Sequence, residues 1–156
     1  MVPEIVPVPN GATCFAFSPA GERLIIGGAV RALRVYDWRA KRFDPAIAAA
    51  EPFENAQRLC FSNDGSTLVV TIFSSISGRG QSRTIVCDWP ARAVRFATSG
   101  HRKQVAGLDA AWLPDNRRFA TKAEDGTAKI WDATTGKKLK SLKASKDPTW
   151  VDFETM

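Results

Sequence analysis

Apolar positions along this chain fall in short runs, and the runs recur in a fixed order. Thr13-Cys14-Phe15-Ala16-Phe17 ends on an aromatic and enters the turn Ser18-Pro19-Ala20-Gly21. Arg58-Leu59-Cys60-Phe61 enters Ser62-Asn63-Asp64-Gly65 in the same way, and Leu108-Asp109-Ala110-Ala111-Trp112 enters Leu113-Pro114-Asp115-Asn116. A second apolar run follows each turn. A third run then closes on aspartate, as Val35-Tyr36-Asp37, Val86-Cys87-Asp88 and Ile130-Trp131-Asp132. Short runs rich in β-branched and aromatic residues, punctuated by Gly, Pro, Asn and Asp, predict strands joined by tight turns.

The second runs carry further information. Leu24-Ile25-Ile26 and the stretch from Thr67 to Phe73 are apolar without alternation, which predicts strands buried on both faces. Glu124-Asp125-Gly126 between Phe119-Ala120-Thr121 and Thr127-Ala128-Lys129-Ile130-Trp131 is a hairpin signal. Outer strands are expected around Arg42 to Ile47, Val94 to Phe96 and Lys138 to Leu142. For 38–56 a short helix capped by Asp44 with Pro45 at its first position is the competing reading; the repeat period favours the strand. A period of roughly forty to fifty residues with about four strands is the signature of propeller blades. The expected fold is therefore all-β, with three four-stranded antiparallel blades in an open arc. The repeats are placed at approximately 11–47, 56–96 and 100–142 of a single domain over 1–156. An edge strand is expected over Glu4 to Val8. The start of a fourth repeat is expected at 147–156, where Phe153 takes the place of Phe17 and Phe61, and this reads as a truncated propeller.

The motifs FSPAGERLIIGGAVRALRVYD, FSNDGSTLVV…TIVCD and WLPDNRRFATKAEDGTAKIWD resemble those of the WD-repeat β-propeller family. The third is the specific match, because Gly100-His101 precedes its first strand. The first two carry Tyr36 and Cys87 where the family prefers tryptophan. The resemblance implies a structural hydrogen-bond row of His101, Thr121, Asp125 and Trp131. The matching positions are Ile26, Val30 and Tyr36 in repeat one and Val70, Gln81 and Cys87 in repeat two, so no such row is expected there. The resemblance also implies a non-catalytic scaffold for protein–protein interaction, binding through the face of hairpin turns and inter-blade loops. On that face Arg31, Arg79, Arg83, Arg102 and Lys103 are the candidate partner-binding residues. An Asp–His–hydroxyl row resembles a catalytic triad on paper, but threonine is the wrong nucleophile for it and no oxyanion site is apparent.

Charge adds a rival. The formal net charge is +6 and the pI about 9.5, which admits nucleic acid or another polyanion as partner. The basic residues are scattered, however, and the densest run, Lys137 to Lys146, reads as an exposed outer strand. The second repeat has 23 positions from Gly65 to Asp88 against 16 for Gly21 to Asp37, and the excess falls in a Gly/Ser-rich basic loop between Ser74 and Arg83. Loops on a rigid scaffold often carry binding. A third reading is an accessory or regulatory piece of a larger multidomain protein. Three cysteines without a C-x-x-C pair, and one histidine, argue against a zinc site; no cofactor is expected. An odd cysteine count in strand interiors suits a reducing compartment, and the amino terminus does not read as a signal peptide, so a cytoplasmic location is expected. No window is apolar enough to predict a membrane span. Three blades leave two uncovered faces, so a homo-oligomer completing a ring is a further expectation.

Overall fold

The computed structural model describes residues 6, 8, 11–28, 32–48, 55–74, 81–101 and 109–143. Within them lie twelve strands: β1 (Ala12–Phe17), β2 (Arg23–Gly28), β3 (Ala32–Asp37), β4 (Arg42–Ala48), β5 (Ala56–Phe61), β6 (Thr67–Ser74), β7 (Gln81–Asp88), β8 (Ala93–Ser99), β9 (Asp109–Trp112), β10 (Arg118–Ala123), β11 (Thr127–Asp132) and β12 (Lys138–Lys143). They form three separate four-stranded sheets, β1-β2-β3-β4, β5-β6-β7-β8 and β9-β10-β11-β12, each an antiparallel meander. These are three blades of an unclosed β-propeller.

The alternation of side chains along each strand builds two faces per blade. In blade 1, Ala16, Ile25 and Val35 are cross-strand neighbours on one face, while Phe17, Leu24 and Tyr36 share the other. The first face meets blade 2. There Ile25, Leu33, Val35 and Ile47 pack with Leu59, Leu68, Val70, Ile72, Ile85 and Cys87 in one buried cluster. The opposite face of blade 2 supplies Val69 and Val86 to a second cluster with Ala110, Phe119, Trp131 and Ala133 of blade 3. A blade of this kind has no solvent-facing side except its edges. That is why β6 lacks hydrophobic alternation: Leu68 and Val70 fill one seam, Val69 the other. Each such side chain, fully withdrawn from water, contributes about 1.5–3 kcal/mol.

Polar fasteners cross both seams. The Thr13 hydroxyl donates to the Ala56 carbonyl, and the Arg92 guanidinium reaches Asp44 at 3.0 Å. Between blades 2 and 3 the Trp112 indole donates to the Cys60 carbonyl at 3.1 Å and the Arg95 guanidinium to the Ala133 carbonyl at 3.0 Å. Asp44 also accepts from Arg23 Nε at 2.7 Å; that bond, with Arg92 adding to it, holds its carboxyl below the usual range.

Of the two readings of 38–56, the strand is the one present. Asp44 lies in β4 opposite Val35, and the next pair along the ladder is Leu33 with Ile47, so the ladder slips across Pro45. A register irregularity is where a strand tolerates a residue without an N–H. The loop expected between Ser74 and Arg83 is shorter than the sequence implied. The β6–β7 ladder extends through Ile72–Arg83, Phe73–Ser82 and Ser74–Gln81, which places Arg83 in a strand. The expected edge strand over Glu4 to Val8 falls mostly outside the described residues, and Val6 and Val8, which are described, are not in a strand. The expected fourth start at 147–156 lies outside them as well. Cys14 and Cys60 are half-buried and Cys87 buried, all as free thiols, and burial pushes Cys87 up to about 12. No group of His, Cys, Asp and Glu among the described residues could hold a metal ion, and no helix there is long and apolar enough to cross a membrane.

The turn after each blade's first strand ends on a residue with positive φ: Gly21 at 68°, Gly65 at 72° and Asn116 at 53°. At Gly65 a second requirement applies, because a Cβ there would stand 2.4 Å from the Pro19 ring of blade 1. Gly126, at φ 73°, has nothing within 4 Å of a Cβ. Gly126→Ala is therefore expected to cost only the left-handed backbone term, about 1–2 kcal/mol. Gly65→Ala adds overpacking of the seam, for a total of about 2–4 kcal/mol. Urea titration of both variants checks this; equal losses would mean Pro19 moves aside freely.

Candidate functional site

His101 stands between β8 and β9, Thr121 in β10, Asp125 in the β10–β11 turn, and Trp131 near the end of β11. Cross-strand pairing puts Thr121 opposite Lys129 and Phe119 opposite Trp131, so these side chains share the face turned toward blade 2. The indole of Trp131 stacks on Phe119 with ring centroids 6.4 Å apart. Gly100 makes room for it, since a Cβ at Gly100 would meet the indole at 2.5 Å.

The structure brings these four residues into one row. The Trp131 Nε1–H donates to Thr121 Oγ1 at 2.8 Å. Thr121 Oγ1 lies 3.0 Å from His101 Nε2, and His101 Nδ1 lies 3.1 Å from Asp125 Oδ2. One assignment of protons satisfies every member: the threonine hydroxyl donates to Nε2, and Nδ1–H donates to the carboxylate. Asp125 is fixed in turn by the Thr127 hydroxyl at 2.6 Å and the Thr127 N–H at 2.9 Å. The row thus ties a loop, two strands and a hairpin turn together, with Thr121 1% and His101 8% exposed.

Two further residues belong to the row that sequence reasoning did not place there. Thr127 and Lys129 alternate with Trp131 along β11 and so face the same way. The Lys129 ammonium is buried; it donates to Thr127 Oγ1 at 2.8 Å and stands 3.8 Å from Asp125. The i, i+2, i+4 spacing of Thr127, Lys129 and Trp131 was the signal that could have found them. Electrostatics follow from this packing. Burial first, and then the Lys129 charge, hold the His101 pKa below its ordinary value, against the pull of Asp125. The imidazole is therefore neutral near neutral pH. Burial raises the Asp125 pKa, but the two Thr127 bonds and His101 outweigh it and hold the carboxyl at about 2.

The row has the residue types of a triad without its use. The Thr121 hydroxyl is shared between imidazole and indole in a sealed seam, so no substrate carbonyl can approach it. At the matching places blades 1 and 2 hold Ile26 with Tyr36 and Val70 with Cys87, which fill those positions with apolar bulk. Of the candidate partner-binding residues, Arg83 is half-buried in β7. Arg31, Arg79, Arg102 and Lys103 lie outside the described residues.

The model of the WD domain, G-beta repeat, matches residues 93–132, from the start of β8 to the end of β11. The matched segment is one WD repeat, and the three blades share the fold of WD40-repeat propellers. WD repeat-containing protein 1 of Bos taurus is 27% identical over 154 residues, covering 90% of this chain and 23% of its own length. Periodic tryptophan protein 2 of Saccharomyces cerevisiae is 27% identical over 126 residues, covering 79% of this chain and 12% of its own length. The chain thus spans less than a quarter of either WD-repeat relative. Among solved structures, the RRP9 WD40 repeats superpose with a TM-score of 0.74 at 14% identity, covering 91% of this chain and 41% of that one. Kuenenia stuttgartiensis hydrazine synthase superposes at 0.65 with 17% identity, covering 83% of this chain and 40% of that one. Likeness at such identities shows the fold alone.

The row makes stability depend on pH. With its pKa lowered, His101 binds fewer protons folded than unfolded. Its stabilisation is complete above its ordinary value of 6.5 and is lost as pH falls through the folded value. Asp125, at about 2 against 3.8, adds a further loss between those values. The melting temperature is expected to fall from about pH 7 to pH 5, and His101→Gln is expected to remove that slope. A slope that survives the substitution assigns the titration elsewhere. At neutral pH Asp125→Ala leaves a buried imidazole and ammonium without their anion, at a cost of about 2–4 kcal/mol. Wild-type stability in that variant would show that the row does not form.

Proposed function

We infer that this chain is a non-catalytic scaffold that binds other proteins through the end of the propeller bearing the hairpin turns and the loops between blades. The observation that carries this reading is the row itself. It clamps the loop at His101 to the hairpin turn at Asp125, making a rigid platform at that end of blade 3 from segments that would otherwise be independent. Its members are buried, so the row itself supplies stiffness and leaves recognition to exposed neighbours such as Glu124. The WD-repeat relatives support a shared interaction role for the fold, and their own partners are not carried over. Three free thiols, none of them exposed, support work in a reducing compartment such as the cytoplasm.

The rival reading is a polyanion held through basic loops, whereas the exposed lysines Lys138, Lys140 and Lys143 lie on β12. Lysines on the outermost strand of a sheet have another use, which is to block pairing with a foreign edge. A photo-crosslinking side chain at Glu124 is expected to capture a discrete protein from extracts of the source organism, whereas one at Lys140 captures none. Equal labelling, or none, would overturn the scaffold reading. Tight oligonucleotide binding that collapses steeply between low and moderate salt would favour the polyanion instead.

A further inference from the structure

We propose that the hairpin-turn end of blade 3 is gated by a proton: protonation of His101 frees its loop from the turn at Asp125 within the folded chain, and Lys129 is the residue that makes one proton sufficient. This adds regulation to the platform inferred above, and it rests on that reading only for its consequence to a partner.

Hydrogen-bond capacity is the first reason. Among the described residues Thr121 Oγ1 has two partners, the Trp131 Nε1–H at 2.8 Å and His101 Nε2 at 3.0 Å. An indole only donates, so the threonine proton has one acceptor, the bare Nε2 of a neutral imidazole. A second proton on the ring turns Nε2 into a donor. Thr121 Oγ1 then faces two N–H groups while its own proton points at no acceptor, sealed from water. A buried donor left without an acceptor carries its full desolvation penalty. Charge is the second reason. His101 Nδ1 lies 3.1 Å from Asp125 Oδ2 and 3.2 Å from Lys129 Nζ, and that ammonium stands 3.8 Å from the same carboxylate oxygen. Asp125 already balances one buried cation, and an imidazolium would be a second. Nothing else described offsets it. From blade 2, Thr71 and Thr84 alternate with Val69 and Val86 on the side toward blade 3, and both are uncharged. In β9, Ala110 pairs with Thr121, whereas Asp109 pairs with Lys122 on the other face and reaches Arg58 at 3.2 Å. Glu124, in the turn, is exposed.

The release is local because the proton acts at one end of the seam. Val69, Val86, Ala110, Phe119, Trp131 and Ala133 form the apolar cluster that joins blades 2 and 3, and none of them titrates. The loop is held to the hairpin by the ring of His101, through Thr121, Asp125, Thr127 and Lys129. Gly100 beside it has no side chain to add to that hold. The sign follows from the same packing. Burial, and then the Lys129 charge, disfavour the imidazolium in the closed form, so a freed imidazole binds the proton more tightly than a held one. The freed population is flat above the ordinary value of 6.5 and grows as pH falls below it. A neutral side chain at position 129, such as the isoleucine that blade 2 has at Ile85, would leave Asp125 to accept an imidazolium as its one cation.

His101 is the only histidine in the sequence, so its ring resonances titrate without overlap in a proton NMR spectrum of the full chain. A midpoint below 6.5 is expected. Amide hydrogen exchange, corrected for its intrinsic pH dependence, reads the release itself. The Thr127 N–H, bonded to Asp125 at 2.9 Å, is expected to open more often by up to about tenfold per pH unit below 6.5. It is expected to open at least about tenfold more often than the amides of Val69 and Val86, which report unfolding of the whole seam. Lys129→Arg keeps the charge and is expected to keep the acid rise, whereas Lys129→Met is expected to cut it at least about threefold. Lys129→Ile replaces the methionine variant if that one does not melt cooperatively. Capture by the photo-crosslinker at Glu124 is expected to fall at about pH 5.5 in the wild type and to persist in Lys129→Met. A His101 midpoint at or above 6.5 would overturn the proposal. So would a Thr127 amide that opens only with Val69 and Val86, or an acid rise that loss of the Lys129 charge leaves intact. No capture at either pH counts against the scaffold reading alone, because titration and exchange need no partner.

Discussion

A four-stranded sheet with apolar side chains on both faces cannot be stable by itself, and every feature of this molecule follows from covering those faces. Leu68 and Val70 on one side of β6 and Val69 on the other are all fully buried, yet only because blades 1 and 3 lie against blade 2. Seam burial is the dominant favourable term, since the polar fasteners across it mostly exchange water for protein partners and contribute about 1 kcal/mol each. What the fasteners add is register. Trp112 to Cys60 and Thr13 to Ala56 fix how one blade slides along the next, which apolar contact alone leaves loose.

The alternation of apolar residues was enough to read strands, blades and the absence of solvent-facing sides. It worked because each blade is local, made of four consecutive strands joined by turns with strong residue signals. It was weaker where chemistry depends on neighbours in space. Pro45 allowed two readings, since a proline at a helix start and a proline at a strand irregularity look alike until the partner strand is known. Arg83 read as loop because glycine and serine surround it, yet the β6–β7 ladder runs on past Ile72 and takes it in. Backbone pairing with an established strand overrides local composition there.

The polar row was legible in part for the same reason. His101, Thr121, Asp125 and Trp131 could be named from the motif. Lys129 could not, because lysine in an apolar strand ordinarily signals an exposed position. Its burial follows from Asp125 and Thr127, which supply an anion and an acceptor within 3.8 Å and 2.8 Å. A charge withdrawn from water needs such partners, and once they are present the position is set.

One slot in the repeat shows how the blades came to differ. Arg34, Ile85 and Lys129 occupy the same place on the third strand, each opposite the matching residue of the second: Ile26, Val70 and Thr121. In blade 2 the slot lies deep in a seam and isoleucine fills it with apolar bulk. In blade 3 it is equally deep, but lysine is there, and the blade supplies threonine opposite, aspartate in the turn and histidine in the loop to satisfy it. In blade 1 the slot faces away from blade 2, and the Arg34 guanidinium lies over the Phe43 ring at 5.1 Å. An arginine over an aromatic tolerates both water and a covering neighbour. Polar chemistry in this fold is thus graded by what covers the slot, and only the slot with a complete set of partners became a network joining loop to hairpin turn.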